Sequence, residues 1–274
     1  MNWRQWMRQI GAVLRLELKK ALFSRRAWWI YLLAAAPVVL CGAHALVMTQ
    51  KRAWHGMAED NIAFAAIYHI FYLRLGIFFG CVGIFMNLFR GEVLDKTLHY
   101  YLLAPIRREV LVVGKYLAGL AAAGAYFILS TAASCLLISS HFGEAYRDFL
   151  LRGPGLQHLG WYLTVTALAV IGYGGVFLLM GLLFRNPMIP AGLVMVWETN
   201  NWLLPAAAQK VSVIFYLTNL TPVPVPPKGP LAILAVTPDP VSAWLAIPGL
   251  LLVALTLVVL AALKARRLQI SYAD

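Results

Sequence analysis

The chain has 274 residues, 61% of them hydrophobic and only 12% charged, with a formal net charge of +12. Soluble domains carry about a quarter charged residues, so this composition, with a mean hydropathy of +0.74, excludes a water-soluble globule and indicates a polytopic membrane protein. The basic excess follows from membrane topology and attraction to anionic headgroups, and no nucleic-acid partner is needed to explain it.

Residues 1–26 hold seven Lys or Arg spread through an amphipathic pattern, without the short apolar core and small-residue site of a cleavable signal peptide. At helical spacing, Trp3, Trp6, Ile10, Val13, Leu14 and Ala21 share one face, opposite Arg4, Arg8, Arg15 and Lys19. That pattern predicts an interfacial helix whose apolar face sinks into the headgroup boundary. Glu17 falls on the apolar face, where an unpaired carboxylate is costly. Pairing with the bundle or its loops explains it, and so does snorkelling to water.

Crossing a hydrocarbon core takes about 20 helical residues. Apolar runs for six spans are found at Ala27–Val47, Ile67–Phe89, Leu111–Ile138, Leu159–Phe184, Met188–Leu204 and Ala243–Leu263. Lipid offers no partner to a free backbone group, and the runs lack a barrel's alternation, so the spans are helices. The expected architecture is an all-α, six-span domain over 27–264 and a short tail over 265–274. An even number of spans puts both termini on one side. That side carries 16 Lys or Arg against six on the other, with Arg74 inside a span; by the positive-inside rule it is cytosolic. Trp28 and Trp29 mark the inner boundary, and Trp54, Trp161, Trp202 and Trp244 the outer one. Gly76 and Gly80, and Gly172, Gly174 and Gly175, suit close helix packing.

Residues 205–240 form the longest outer segment. Ala206–Leu220 is apolar but short, which predicts a helix or helical hairpin dipping into the outer leaflet; an ordinary surface loop fits the segment as well. Seven of the 14 prolines crowd residues 222–240 and favour extended geometry. Asn219, Leu220 and Thr221 match a glycosylation acceptor, a weak pattern.

No phosphate-binding loop, dinucleotide fingerprint, nucleophile elbow or zinc-protease motif is present, so the chain is not expected to be an enzyme by itself. Cys41, Cys81 and Cys135 fall in spans and read as small hydrophobes. The histidines at 44, 55, 69, 99, 141 and 158 show no ligand-like spacing, so no metal and no directly bound cofactor is expected.

The most informative stretch is GEVLDKTLHYYLLAPIRREVLVVGKYLAG, residues 91–119, a charged segment between two apolar runs. After Gly91 as a helix stop, Leu94, Leu98, Tyr101 and Leu102 line one face, and Glu92, Asp95, Lys96 and His99 lie elsewhere. This predicts one amphipathic helix over about 92–104, ended by Pro105. A loop helix resting on the inner leaflet fits the composition as well.

These residues resemble the membrane (permease) subunits of type-2 ABC exporters, whose pattern after the second span is a Glu, a Thr-Leu pair, a Leu-rich turn, a Pro, an Arg and a Gly-Lys. Here the positions are Glu92, Thr97, Leu98, Leu102, Leu103, Pro105, Arg108, Gly114 and Lys115; Lys96 stands where the family usually has Gly. The N-terminal LELKKALFSRR and the outer re-entrant segment are similar as well. The resemblance implies one half of a paired pore, made with an identical or homologous second subunit in a bacterial inner membrane. A separate P-loop ATPase subunit carrying ATP and Mg would dock on 92–104 as the coupling helix. It also implies coupling roles for Glu92, Asp95, Thr97, His99, Arg108 and Lys115.

Arg74 and Glu198 are ionisable groups inside spans, where charge is expensive and usually functional or paired. They lie 16 and 13 residues from Arg90 and Arg185, about 24 and 20 Å at the helical rise. In the resembling family the second and fifth spans flank the translocation path, so the pair, with Asn200, Asn201 and Tyr72, would line or gate it. A purely structural pair, or separate snorkelling, explains the same residues. The competing function is a non-catalytic structural subunit of a respiratory or photosynthetic complex. An intramembrane hydrolase built on Ser130 and Ser134 lacks a facing base.

Overall fold

A computed structural model describes residues 3–23, 27–51, 56–225 and 241–267, and all regular structure among them is helical. Trp54, the proline-rich stretch over 226–240 and the tail beyond 267 lie outside the described residues.

Helix α1 covers Trp3–Phe23 and α2 Trp28–Lys51. Helix α3 runs unbroken over Met57–Leu94, followed by short α4, Leu98–Leu103. Next come α5 (Arg108–Ile138), α6 (Glu144–Leu151), α7 (Gly155–Leu183) and α8 (Met188–Thr199). Helices α9 (Ala206–Gln209), α10 (Val213–Leu220) and α11 (Ala243–Arg266) complete the order. Five of these, α2, α3, α5, α7 and α11, are long and apolar enough to cross a membrane.

The expected fifth span, 188–204, is shorter than the sequence suggests: α8 has 12 residues, about 18 Å. Beyond it the chain turns through Asn201–Leu203, and Leu204 is extended at ψ 154°, as a residue before proline prefers. Helix α3, by contrast, is 38 residues long, about 57 Å, and overshoots a core about 30 Å thick. Two of its segments, Tyr68–Gly76 and Val82–Met86, are π-helical, a wider winding that is frequent at functional sites.

The single helix expected over 92–104 is divided. Gly91 is buried inside α3 rather than stopping it, and the helix ends instead at Asp95. There the Thr97 amide donates to the Glu92 carbonyl at 2.8 Å and the Lys96 amide to that of Val93 at 3.2 Å. This is the Schellman arrangement, whose pivot residue is left-handed and usually Gly. Lys96 occupies the pivot with φ 54°. The turn survives the missing glycine, and α4 then runs for six residues to Ala104 and Pro105.

α5 packs against α1 and α2 and also against α7 and α11. α7 is the most buried of the five long helices. Gly114 lets α1 approach α5 closely: a Cβ there would stand 2.9 Å from Cβ of Val13. The interior is tied by hydroxyls as well as apolar contact. Tyr72, fully buried, bonds Ser130 at 2.7 Å and Ser134 at 2.9 Å, while Tyr68 donates to the Tyr162 carbonyl at 2.9 Å. Tyr72 therefore joins α3 to α5 inside the subunit.

Candidate functional site

The densest charged cluster among the described residues sits at the end of the bundle that carries α1 and α4. Lys115, on α5, has a side chain with 0% exposure and reaches Glu17 Oε1 at 2.8 Å and Glu92 Oε2 at 2.9 Å. Its Nζ also donates to the Leu88 carbonyl at 2.7 Å. Three oxygens thus surround an ammonium with three N–H groups, and the rings of Tyr101 and Phe89 lie 4.8 and 5.2 Å away.

Lys20 closes the cluster from the solvent side, 3.1 Å from Glu92 Oε1 and 3.5 Å from Glu17 Oε1. The Tyr101 hydroxyl donates to Glu17 Oε1 at 2.8 Å. Burial alone would raise the Glu17 pKa, but the Lys115 charge and hydrogen bond outweigh it and hold the carboxyl below its ordinary range. Burial, together with the carboxylates of Glu17 and Glu92, pushes the Tyr101 phenol up to about 12, so it stays a donor near neutrality. Glu17 therefore pairs with the bundle, and the snorkelling alternative falls.

The cluster is a joint between four elements: α1 (Glu17, Lys20), the end of α3 (Glu92), α4 (Tyr101) and α5 (Lys115). α1 grips the same segment twice more. Gln9 donates to the Pro105 carbonyl at 3.0 Å, and the Arg107 guanidinium lies 5.0 Å from the centre of the Trp6 ring. A cavity of about 430 Å³, lined by Glu17, Lys20, Ile84, Glu92 and Asp95 among others, opens beside the joint. The face turned away from the bundle exposes Leu94, Tyr100 and Leu103 at 62, 68 and 81%, together with Asp95 and Lys96.

The remaining residues singled out in the sequence have definite places. Thr97 is part of the Schellman turn, and the His99 ring lies 4.0 Å from that of Tyr100. Arg108 donates to the carbonyls of Ala265 and Arg266 at 3.2 and 2.8 Å, capping the C-terminus of α11, where a cation is favoured. Glu109 pairs with Arg266 beside it.

No ion pair joins Arg74 to Glu198 among the described residues. Glu198 is 6% exposed and takes the amides of Val213 at 3.0 Å and Ile214 at 2.7 Å and the Tyr173 hydroxyl at 3.2 Å. A carboxylate satisfied by the first amides of α10 is an N-terminal cap. Ser212, which accepts from the Phe215 amide at 3.2 Å, is in turn held by Asn201 Nδ2 at 2.7 Å. Asn200 bonds its own helix at the Val196 carbonyl, 2.9 Å away. Asn219, in the glycosylation pattern, accepts from the Val241 amide at 3.1 Å and donates to the Phe215 carbonyl at 2.7 Å, so its side chain is engaged in structure.

Sequence reasoning missed Lys20 as a partner and Tyr101 as a hydrogen-bond donor. It also missed a second cluster at the far end of the bundle, His44, Asp60 and His141, whose donor atoms lie within 4.8 Å of one another. Linear spacing gives no sign of that triad.

The pattern of the ABC-2 family transporter proteins matches residues 13–201, well over half of the chain. The chain belongs to the ABC-2 family. The ABC-2 match runs from the middle of α1 to the turn after α8, so it contains Glu17, Glu92, Lys115 and Glu198. No curated protein matches the chain. Membership makes this a multi-pass membrane subunit of an ABC-type transporter.

Proposed function

We propose that the chain is half of the pore of an ATP-driven exporter, coupled to a separate P-loop ATPase through residues 92–104. The observation that carries this reading is the buried Glu17–Lys115–Glu92 joint. It binds a short exposed segment to both helices that leave it, α3 and α5, and to α1. A partner that moves α4 sideways would therefore move two membrane-crossing helices as one body. The exposed Leu94, Asp95, Tyr100 and Leu103 supply an apolar and charged docking face. A subunit that only held a neighbour's cofactor would have no use for such a lever, and family membership gives that competing reading no support.

On this reading α8, with the α9–α10 segment behind it, serves as the short fifth span and its re-entrant cover, giving six spans. The end carrying α1 and α4 faces the cytosol, as the Lys and Arg distribution indicates. A second copy or a homologous subunit completes the pore. Arg74 lies on the π-helical stretch of α3 and borders the path together with the α8–α10 junction that Glu198 holds.

The test is substrate-stimulated ATP hydrolysis by the reconstituted complex. Asp95→Lys and His99→Glu lower stimulation while membrane insertion stays at the wild-type level. Unchanged stimulation in both variants would refute coupling through this segment.

A further inference from the structure

At the end of the bundle opposite the charged joint, three side chains from separate elements converge. His44 comes from α2, Asp60 from the first turn of α3, and His141 from the turn Ser140–Phe142 after α5. His44 Nε2 stands 3.2 Å from Asp60 Oδ1, and His141 Nε2 stands 3.8 Å from Asp60 Oδ2. The side chains of Asp60 and His141 are each 2% exposed and that of His44 29%. The two imidazoles meet edge to face at 5.7 Å, and the Phe142 ring backs His141 at 4.2 Å.

Two imidazoles and one carboxylate are a donor set for first-row divalent ions, Zn²⁺ above all. With metal–ligand bonds of about 2.0–2.2 Å, tetrahedral donors stand roughly 3.4 Å apart. The 3.2 and 3.8 Å spacings, each to a different oxygen of Asp60, lie on either side of that value, and one donor atom from each residue lies within 4.8 Å of the other two. Small side-chain rotations would close the set. A carboxylate this deeply buried is costly to desolvate, and coordination to a divalent cation offsets that cost.

We propose that His44, Asp60 and His141 bind a divalent transition-metal ion of the Zn²⁺ class, which pins together the far ends of α2, α3 and α5. The partly exposed His44 is the entry side, and water completes the coordination. The site is independent of the ATPase coupling argued above and stands or falls separately from it.

The experiment uses the full chain in detergent, purified without a polyhistidine tag, and titrated with Zn²⁺ against a chromogenic chelator and with Co²⁺ by visible absorption. One Zn²⁺ per chain is expected, with affinity at least tenfold weaker in Asp60→Asn and in His141→Ala, and a Co²⁺ spectrum of low-symmetry nitrogen and oxygen ligation. His44→Cys keeps binding and adds a thiolate-to-cobalt charge-transfer band. If the substitutions at 60 and 141 do not fold, the wild-type Co²⁺ spectrum and the His44→Cys band decide. No Co²⁺ ligand-field band in the wild type, or stoichiometry and affinity unchanged in every variant, would overturn the site and leave the triad as a hydrogen-bonded clamp.

Discussion

The Lys115 side chain is fully buried and is paired with the two carboxylates beside it. Removing one partner of a buried ion pair costs about 3–5 kcal/mol, because the other charge is left behind. Lys115→Met is therefore expected to lower stability by that order, read as unfolding of the purified chain in mixed micelles. Lys20→Met, with a side chain 54% exposed, should cost no more than about 1 kcal/mol. Equal losses in the two variants would contradict the central place of Lys115. Lys96 supplies a second residue-scale test. A left-handed non-glycine residue costs about 1–2 kcal/mol, part of which returns on Lys96→Gly because glycine also gains freedom in the unfolded chain. The same assay should show Lys96→Gly unchanged or stabilised by up to about 1 kcal/mol, and Lys96→Val destabilised.

Among the elements, α10 is held in place by Glu198 from α8, which accepts from its first two amides, and by Ser212, which accepts from the third. Leaving buried donors unsatisfied costs about 1–3 kcal/mol, so Glu198→Ala should loosen α10 specifically. Hydrogen exchange at the amides of Val213 and Ile214 is expected to quicken by tenfold or more while that of α7 stays unchanged; uniform quickening would point to global destabilisation instead. What was legible in the sequence divides along the same physical line. The long apolar runs of α2, α5, α7 and α11 could be read to within a few residues, since lipid forces continuous helices on them. The amphipathic face of α1 and the anomaly of Glu17 on it were legible for the same reason. Contacts between distant residues were not. Nothing local distinguishes an Arg108 that caps α11 from one that faces a partner, or shows that Glu198 serves backbone amides. The helix break at Lys96 rather than Gly91 was hidden because a Schellman turn normally announces itself by glycine, and here it is built on lysine.

At the scale of the whole molecule, a charged joint lies at one end and a His–Asp–His triad at the other, with a hydroxyl-tied helical interior between them. In the proposed exporter, force enters at α4, passes through Glu17, Glu92 and Lys115 into α3 and α5, and reaches the far ends of those helices, where Asp60 and His141 sit. Gly114→Leu would wedge α1 away from α5 at Val13 and pull Glu17 away from Lys115. ATPase stimulation is then expected to fall while the subunit remains inserted; full stimulation would mean that α1 takes no part in transmission.

The most direct measurement is to purify the intact chain gently from its native membrane, as wild type and as Asp95→Lys, and to identify what accompanies it by mass spectrometry and absorbance. A P-loop ATPase near one per chain in the wild type, and depleted in the variant, is the predicted result. A coloured assembly without an ATPase, or an ATPase retained equally by both, would contradict coupling through the 92–104 segment.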